Sequence, residues 1–472
     1  LLNQFKNQFC LKLPLLLLLF AFSYGGLAAA QTVSPFKAGD RVVFVGNSIT
    51  DGGHYHSYIW LYYLTRFPER RIEIFNSGIG GDVSQQMYER LPKEVFEKKP
   101  TVVTLTFGMN DTGYQPLNPI NADSVYGTKV TESLKGFHRI EYAFLQHPKF
   151  KKILIASSPY DESSKIKVKP LLRKNIAMLK IADAELATAR KNKWGFIDFN
   201  RPMVAINEHQ QAKDSIFTLQ GTDRIHPTND GHMVMAYLFL KAQGLNGKVA
   251  EVTLHARGHD KPVTENCQIT QIKIKEHNVA FTYMARSLPY PVDTIARGGN
   301  SSGKSQADGL KLVPFTREFN QEVLRVKGFY KDRNYELRID GKLIGTWDGS
   351  RFDEGINLAE LTNTPQYEQA TAVMQLNEER WEVERRLREY YWLHYSILKP
   401  KGLLFHDELR VVDSLQKYAR KDFFVAVTLP TYRKARYAAV RAAWQNEIAL
   451  LTSRMYAVSQ PVSHRFEVSL KR

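Results

Sequence analysis

Four short segments carry between them the groups that ester hydrolysis needs: Gly46-Asn47-Ser48-Ile49, Asn76-Ser77-Gly78-Ile79-Gly80-Gly81-Asp82, Gly108-Met109-Asn110-Asp111 and Asp223-Arg224-Ile225-His226-Pro227. A serine hydroxyl is a poor nucleophile until a neighbouring base takes its proton, and Ser48 with His226 offers that pair. Asp223 lies three residues before His226, so one loop can hold carboxylate and imidazole within reach. The carboxylate would fix the ring tautomer and stabilise the imidazolium formed during attack. Pro227 stiffens the chain just after it. The tetrahedral intermediate of acyl transfer carries an oxyanion that needs preorganised donors. Three are expected: the backbone N–H of Ser48, the backbone N–H of Gly81 and the carboxamide of Asn110. Each segment alone has an ordinary explanation. Serine caps helices, glycines make turns, and an aspartate three residues from a histidine stabilises many loops. All four in this order make hydrolase the leading reading.

Such groups must be gathered by a scaffold, and residues 31–245 alternate strand and helix signals. Apolar, β-branched runs at residues 41–45, 71–75, 101–107, 152–156 and 194–199 read as strands. Helical stretches fall at residues 55–66, 83–98, 131–147 and 170–191, with another at 230–243. Val42-Val43-Phe44-Val45 is apolar at consecutive positions, as a strand buried on both faces should be. Alternating βα units predict a parallel sheet with helices on both sides. Ligands bind such sheets beyond the carboxyl ends of the strands. Ser48, the 78–81 turn and Asn110 all fall there.

These motifs resemble those of the SGNH hydrolases, also called the GDSL esterase/lipase family. Gly46-Asn47-Ser48 matches the first block, with Asn47 where the family usually has Asp; Asn76 to Asp82 matches the second, Gly108 to Asp111 the third and Asp223 to His226 the last. The resemblance spans about residues 41–236. It implies a flavodoxin-like, three-layer α/β/α domain in which Ser48, Gly81, Asn110 and His226 are the four name-giving residues and Asp223 completes a triad. It also implies two-step acyl transfer from a carboxylic ester, with no metal or organic cofactor. Relatives with export signals and added domains are familiar among bacteria that degrade polysaccharides. The expected substrate is therefore an acylated carbohydrate, such as an acetylated plant polysaccharide. A lipid or lysophospholipid ester is the enzymatic alternative, and a carbohydrate-binding protein on the same fold is the non-enzymatic one. The intact set of five residues argues against the last, because a binding protein has no need of all of them.

Beyond this region the pattern changes. Residues 246–355 read as a small antiparallel β-domain: Gln271 to Lys275 and Tyr335 to Ile339 alternate apolar and polar residues, and Asp340-Gly341 is a hairpin signal. The glycine- and serine-rich residues 297–309 read as a mobile loop. Residues 356–472 read as helical. Thr364-Pro365 suits an N-cap followed by proline at the first helical position, and Val383, Leu387, Tyr390 and His394 recur on one helical face. A second helix is expected from residue 431 to about 456, and the charge run 378–388 reads as a solvated face with i,i+4 ion pairs. His54 and His56 are expected to pack on the first helix and His232 against the surroundings of the last helix of the 31–245 region. Asp51 and Asp111 are expected to stabilise their turns.

Composition sets outer bounds. The 472 residues suit two or three domains, and 43% hydrophobic with 24% charged residues is ordinary for a soluble globular protein. A formal charge of +17, two less without Lys6 and Lys12, favours anionic surfaces. No nucleic-acid fold signature accompanies it, so the expected partner is a small ester or acylated carbohydrate and not DNA or RNA. Lys6 and Lys12 precede an apolar run that ends before Ala28-Ala29-Ala30, so residues 1–30 read as a signal peptide and the protein as secreted or periplasmic. That run is short for a membrane span, which needs about 20 residues. Cleavage would leave Cys267 alone, without an intramolecular disulfide. No CxxC pair or HExxH points to zinc.

Overall fold

The computed structural model describes residues 33–115, 119–257, 260–275, 277–296 and 303–471. The expected signal segment and the first six residues of the 297–309 stretch lie outside the described residues.

The strands β1 (Arg41–Gly46), β2 (Glu73–Gly78), β3 (Val102–Leu105), β4 (Lys151–Ala156) and β5 (Gly195–Asp198) form one sheet in the order β2-β1-β3-β4-β5. Every pairing in it is parallel. Helices α1 (Ser48–Asp51), α2 (Tyr55–Arg66), α3 (Ser84–Glu94), α4 (Pro119–Leu145), α5 (Lys174–Asn192), α6 (Asn200–Gln211) and α7 (Asn229–Ala242) follow or join the strands. The pleat of β1 feeds two cores. Val42 and Phe44 pack with α2, α6 and α7, whereas Val43 and Val45 pack with α3, α4 and α5. This is the three-layer α/β/α domain read from the sequence, with the order reversing between β1 and β3, where ligands bind such sheets.

Two helices depart from expectation. The helix expected at 131–147 begins at Pro119, because Ala122, Tyr126 and Val130 continue its buried stripe across Gly127. Helix α6 leaves no periodic signal in the sequence: of its residues only Asn200, Met203 and Asn207 are buried, too thin a stripe to show.

Downstream, β6 (Lys248–His255), β7 (Val263–Glu265), β8 (Cys267–Lys275), β9 (Asn278–Ala285), β10 (Gln321–Lys327), β11 (Asn334–Ile339), β12 (Lys342–Asp348), β13 (Ile356–Asn357) and β14 (His464–Leu470) build two sheets. One is antiparallel, in the order β12-β11-β14-β9-β8. The other, β13-β10-β6-β7, is mixed, since β10 runs parallel to β6. The sheets share a core of Val252, Leu254, Leu324 and Val326 against Phe281, Leu337, Phe466 and Val468. Asp340 and Gly341 both take positive φ, 51° and 81°, as a type I′ hairpin between β11 and β12 requires. Short helices α8 (Gln306–Leu310), α9 (Phe315–Phe319) and α10 (Gly349–Glu354) fill the connections.

Between β13 and β14 the chain makes α11 (Pro365–Trp392), a π-helical turn (Leu393–Leu398), α12 (Leu409–Ala419), α13 (Phe423–Ala435) and α14 (Ala438–Val458). The region read as wholly helical therefore returns as a strand, and that strand sits between β11 and β9. Thr364 caps α11 by accepting the Tyr367 N–H, and Pro365 opens it. The single helix expected over 431–456 is two, broken at Arg436-Tyr437. Among the described residues no helix is long and apolar enough to cross a membrane.

The charge run 378–388 is not a solvated face. Glu378, Arg380 and Arg388 are buried, because α11 lies across α2 and the end of β2. Arg388 Nη1 meets Glu94 Oε2 at 2.8 Å, Arg380 pairs with Glu384 at 2.7 Å, and Glu384 accepts the backbone N–H of Asn76 at 2.9 Å. Only members such as Glu382 and Arg385 stay exposed and paired along the helix. The burial of α2 has the same origin: all twelve residues of Tyr55–Arg66 are covered, with Trp60 donating to the Tyr456 hydroxyl and Ser57 held by Asn377. The polar members of α2 find partners inside: His56 meets the Thr50 carbonyl, Thr65 donates to the Tyr62 carbonyl and Arg66 to the Asn246 carbonyl.

Glu94 gives this junction a pH signature. Burial pushes its carboxyl up, but Arg388 and Lys98 outweigh burial and hold it near 2, against an ordinary 4.5. A carboxyl depressed by folding adds stability that is complete above pH 4.5 and disappears as the pH falls toward 2. Glu94→Gln is expected to be less stable than the wild type in denaturant melts at pH 7 and to show a flatter acid limb between pH 4.5 and 2. Equal acid limbs for the two proteins would contradict the pairing.

Candidate active site

Strand β1 ends at Gly46, and Asn47 turns the chain. Its Oδ1 accepts the Ile49 N–H at 3.0 Å, which makes Ser48 the first residue of α1. The Ser48 hydroxyl stands 2.8 Å from His226 Nε2. On the other side of the ring, Nδ1 is 2.6 Å from Asp223 Oδ2. Asp223 Oδ1 accepts the backbone N–H groups of Ile225 and His226 at 2.9 and 3.0 Å, so one carboxylate closes the loop and orients the ring. Burial raises the Asp223 carboxyl, yet the bonds from His226 and these two N–H groups leave it below the ordinary range. Both side chains remain partly open to solvent. Arg224, between them, holds a left-handed φ of 67°, while its buried guanidinium bonds the carbonyls of Val168 and Asp161 at 2.7 and 2.9 Å. The strained residue is thus anchored from beneath.

The donor side is built from the loops after β2 and β3. Gly78 must be glycine, because a Cβ there would lie 2.2 Å from the Asp51 backbone nitrogen. Gly81 has φ +88°, and the space where its Cβ would point is open. The Asn110 carboxamide donates through Nδ2 to the Asp82 carbonyl at 2.9 Å and accepts the Tyr114 hydroxyl at 2.5 Å. One of its two N–H bonds is thereby used and the other left over. Asp111 accepts the N–H groups of Gly108 and Ser84 and the hydroxyl of Ser133, which is the turn-stabilising task expected of it. Asp51 likewise accepts the Gly80 N–H at 3.1 Å; burial raises its carboxyl to about 6, with Arg388 opposing.

The structure thus brings Ser48, His226 and Asp223 into one hydrogen-bonded row and sets Gly81 and Asn110 on adjoining loops linked through Asp82. A hydroxyl, an imidazole and a carboxylate in a row can move a proton off the oxygen, and spare N–H groups nearby can hold developing negative charge. His54, His56 and His232 are all buried: His54 Nε2 lies 3.3 Å from Glu378 Oε2 and its ring stacks on Trp381, while His56 Nε2 meets the Thr50 carbonyl at 3.1 Å. Burial drives the His56 ring down to about 4 and that of His232 well below its ordinary value. Among the described residues no group of three or more His, Cys, Asp or Glu side chains is arranged to hold a metal ion.

Three supporting residues were not read from the sequence. Arg90, buried in α3, bonds Asp82 at 2.5 Å, the Ser77 carbonyl at 2.7 Å and the Gly46 carbonyl at 2.9 Å, tying the ends of β1 and β2 together. Lys174, at the start of α5, donates to Met109 O, Thr112 Oγ1 and Gly113 O and so holds the loop bearing Asn110. Tyr114 stacks beneath that ammonium at 4.3 Å. Arg90 did leave a signal: it shares a helical face with Met87, Leu91 and Glu94, and a charge on a buried stripe marks a partner.

The chain is similar to several known proteins. Residues 44–234 match a family model described as the GDSL-like lipase/acylhydrolase family, and residues 371–460 match one described as the diltiazem deacetylase C-terminal helical domain. A solved structure of a gut microbial diltiazem-metabolizing enzyme is 46% identical, with a TM-score of 0.89 over 93% of this chain and 99% of that one. An acetylxylan esterase of Geobacillus stearothermophilus is 25% identical over 223 residues, 44% of this chain and 95% of its own length. The chain belongs to the GDSL-like lipase/acylhydrolase family and is a carboxylic ester hydrolase.

Proposed function

We propose that the reaction is a two-step acyl transfer through Ser48, His226 and Asp223. Ser48 Oγ attacks the ester carbonyl while His226 takes its proton; the proton then goes to the leaving alcohol as the tetrahedral intermediate collapses. Water, activated by the same imidazole, releases the acyl group from Ser48. The N–H groups of Ser48, Gly81 and Asn110 carry the oxyanion in both steps. The observation that carries this reading is the continuous row from Asp223 to His226 to Ser48, at 2.6 and 2.8 Å.

The acyl group is taken to be acetyl, since both the acetylxylan esterase relative and the deacetylase named for the helical domain remove one. The first reading of the alcohol is a carbohydrate hydroxyl, in line with the solvent-open His226 and Asp223, which a bulky polyol can reach. A second reading, an aromatic drug-like alcohol, is favoured by the 46% identity to a diltiazem-metabolizing enzyme over nearly the whole chain. Export through residues 1–30 belongs to the same proposal.

Acetate release from acetylated xylan, mannan and pectin, from diltiazem, and fatty-acid release from a lysophospholipid rank the alternatives. Fastest turnover on a polysaccharide is the expected result, and fastest turnover on diltiazem would establish the second reading. A preference for the lysophospholipid would remove both. A fluorophosphonate probe is expected to label the protein at Ser48 alone, read by peptide mass.

A further inference from the structure

The helical domain reaches the loop after β2 at one backbone carbonyl. Trp392, the last residue of α11, donates its indole N–H to Gly80 O at 3.1 Å, and Ser396 Oγ in the π-helical turn lies 3.5 Å from the same oxygen. On the other side of the residue, Gly80 N–H is held by Asp51 Oδ2 at 3.1 Å. The fit is close: a Cβ on Gly80 would come within 3.2 Å of Trp392 Nε1. Arg388, one turn earlier, is locked to Glu94 at 2.8 Å and points at Gly78 O at 3.5 Å, so the end of α11 is fixed against this loop.

The carbonyl that Trp392 holds is half of the peptide whose other half is the Gly81 N–H. In a trans peptide the C=O and the next N–H point in opposite directions, so fixing one fixes the other. Residues 79–82 form a turn, closed by Asp82 N–H to Ile79 O at 3.2 Å, and φ of +88° at Gly81 marks it as type II. Types I and II differ by a flip of the central peptide, here Gly80–Gly81, and glycine at both positions tolerates either form. The flipped form would turn the Gly81 N–H away from the side it now faces. An acceptor bond on the carbonyl also polarises the peptide and strengthens its N–H as a donor.

We propose that Trp392 is a positioning residue for ester hydrolysis: by holding the Gly80 carbonyl it selects the peptide orientation that presents the Gly81 N–H to the oxyanion, so the helical domain completes the donor site. The proposal rests on the reading of Ser48 as nucleophile and Gly81 as oxyanion donor. Trp392 does not touch the reacting atoms, and its effect passes through the peptide it bonds.

Trp392→Phe keeps an aromatic ring and removes the donor. With p-nitrophenyl acetate, kcat is expected to fall about tenfold or more while KM stays within about twofold, because the lost interaction acts on the transition state. Affinity for phenylboronic acid, which forms a tetrahedral adduct on a nucleophilic serine, is expected to fall by the same factor. Benzothienylalanine at position 392, which retains the bicyclic shape without the N–H, is expected to reproduce the loss and guards against a folding defect in the phenylalanine variant. Wild-type kcat and boronate affinity in the benzothienylalanine protein would overturn the proposal, and so would a kcat loss with unchanged boronate affinity. Ser48→Ala run alongside separates the two levels. If it is inactive while the Trp392 variants are fully active, the clamp is wrong and the site reading stands; if it is fully active, the site reading itself fails.

Discussion

Replacing Ser48 by alanine is expected to lower kcat on p-nitrophenyl acetate by about 10⁴- to 10⁶-fold, close to background, with the fold intact. The size follows from what the hydroxyl does. In the proposed mechanism it is the atom that forms the new bond, and it stands 2.8 Å from the imidazole that would take its proton. His226→Ala is expected to cost about as much, and the double variant little more than either single one, because nucleophile and base act as a unit. Asp223→Asn probes the third member differently. The carboxylate meets the ring at 2.6 Å, and an amide there holds the wrong tautomer, so a loss of about 10⁴ is expected with little effect on KM. Losses that simply multiplied across Ser48 and His226 would mean that the two do not work on one proton.

How much of this was legible in the chain depends on how local each cause is. Val42 to Val45 is apolar at every position because β1 is covered on both faces, and that is visible without any partner. The four motifs are equally local: each closes on itself, Asn47 on Ile49, Asn76 on Gly78, Asp111 on Gly108, and Asp223 on Ile225 and His226. The sequence therefore made the hydrogen-bonded row of Ser48, His226 and Asp223 legible. It did not show what steadies them. Arg388 and Glu94 are 294 positions apart, and Trp392 and Gly80 are 312 apart. In isolation the 378–388 run has the composition of a wet surface, and only the burial of α2 beneath α11 makes it an interior ion-pair network. Strand β14 was hidden for a similar reason. Its own signal is present, since Phe466, Val468 and Leu470 alternate with Arg465, Glu467 and Ser469, but it follows a long helical stretch and its partners β11 and β9 lie more than a hundred residues upstream.

Asn110 tests the donor half of the site. Its carboxamide spends one N–H on the Asp82 carbonyl and has its oxygen held by Tyr114, which fixes the direction of the remaining N–H. Asn110→Ala removes that donor and is expected to lower kcat by about 10²- to 10³-fold, the usual cost of one oxyanion donor, with KM nearly unchanged. Asn110→Asp keeps the shape but sets a carboxylate against a developing oxyanion, so its loss is expected to exceed that of alanine at neutral pH. Tyr114→Phe leaves the amide in place and frees it to turn, and a smaller loss of about tenfold is expected. The order Asp below Ala below Phe in kcat separates charge stabilisation from packing. If the group merely braced the loop, Tyr114→Phe would leave turnover untouched, because the Lys174 side chain already holds this loop through Met109, Thr112 and Gly113.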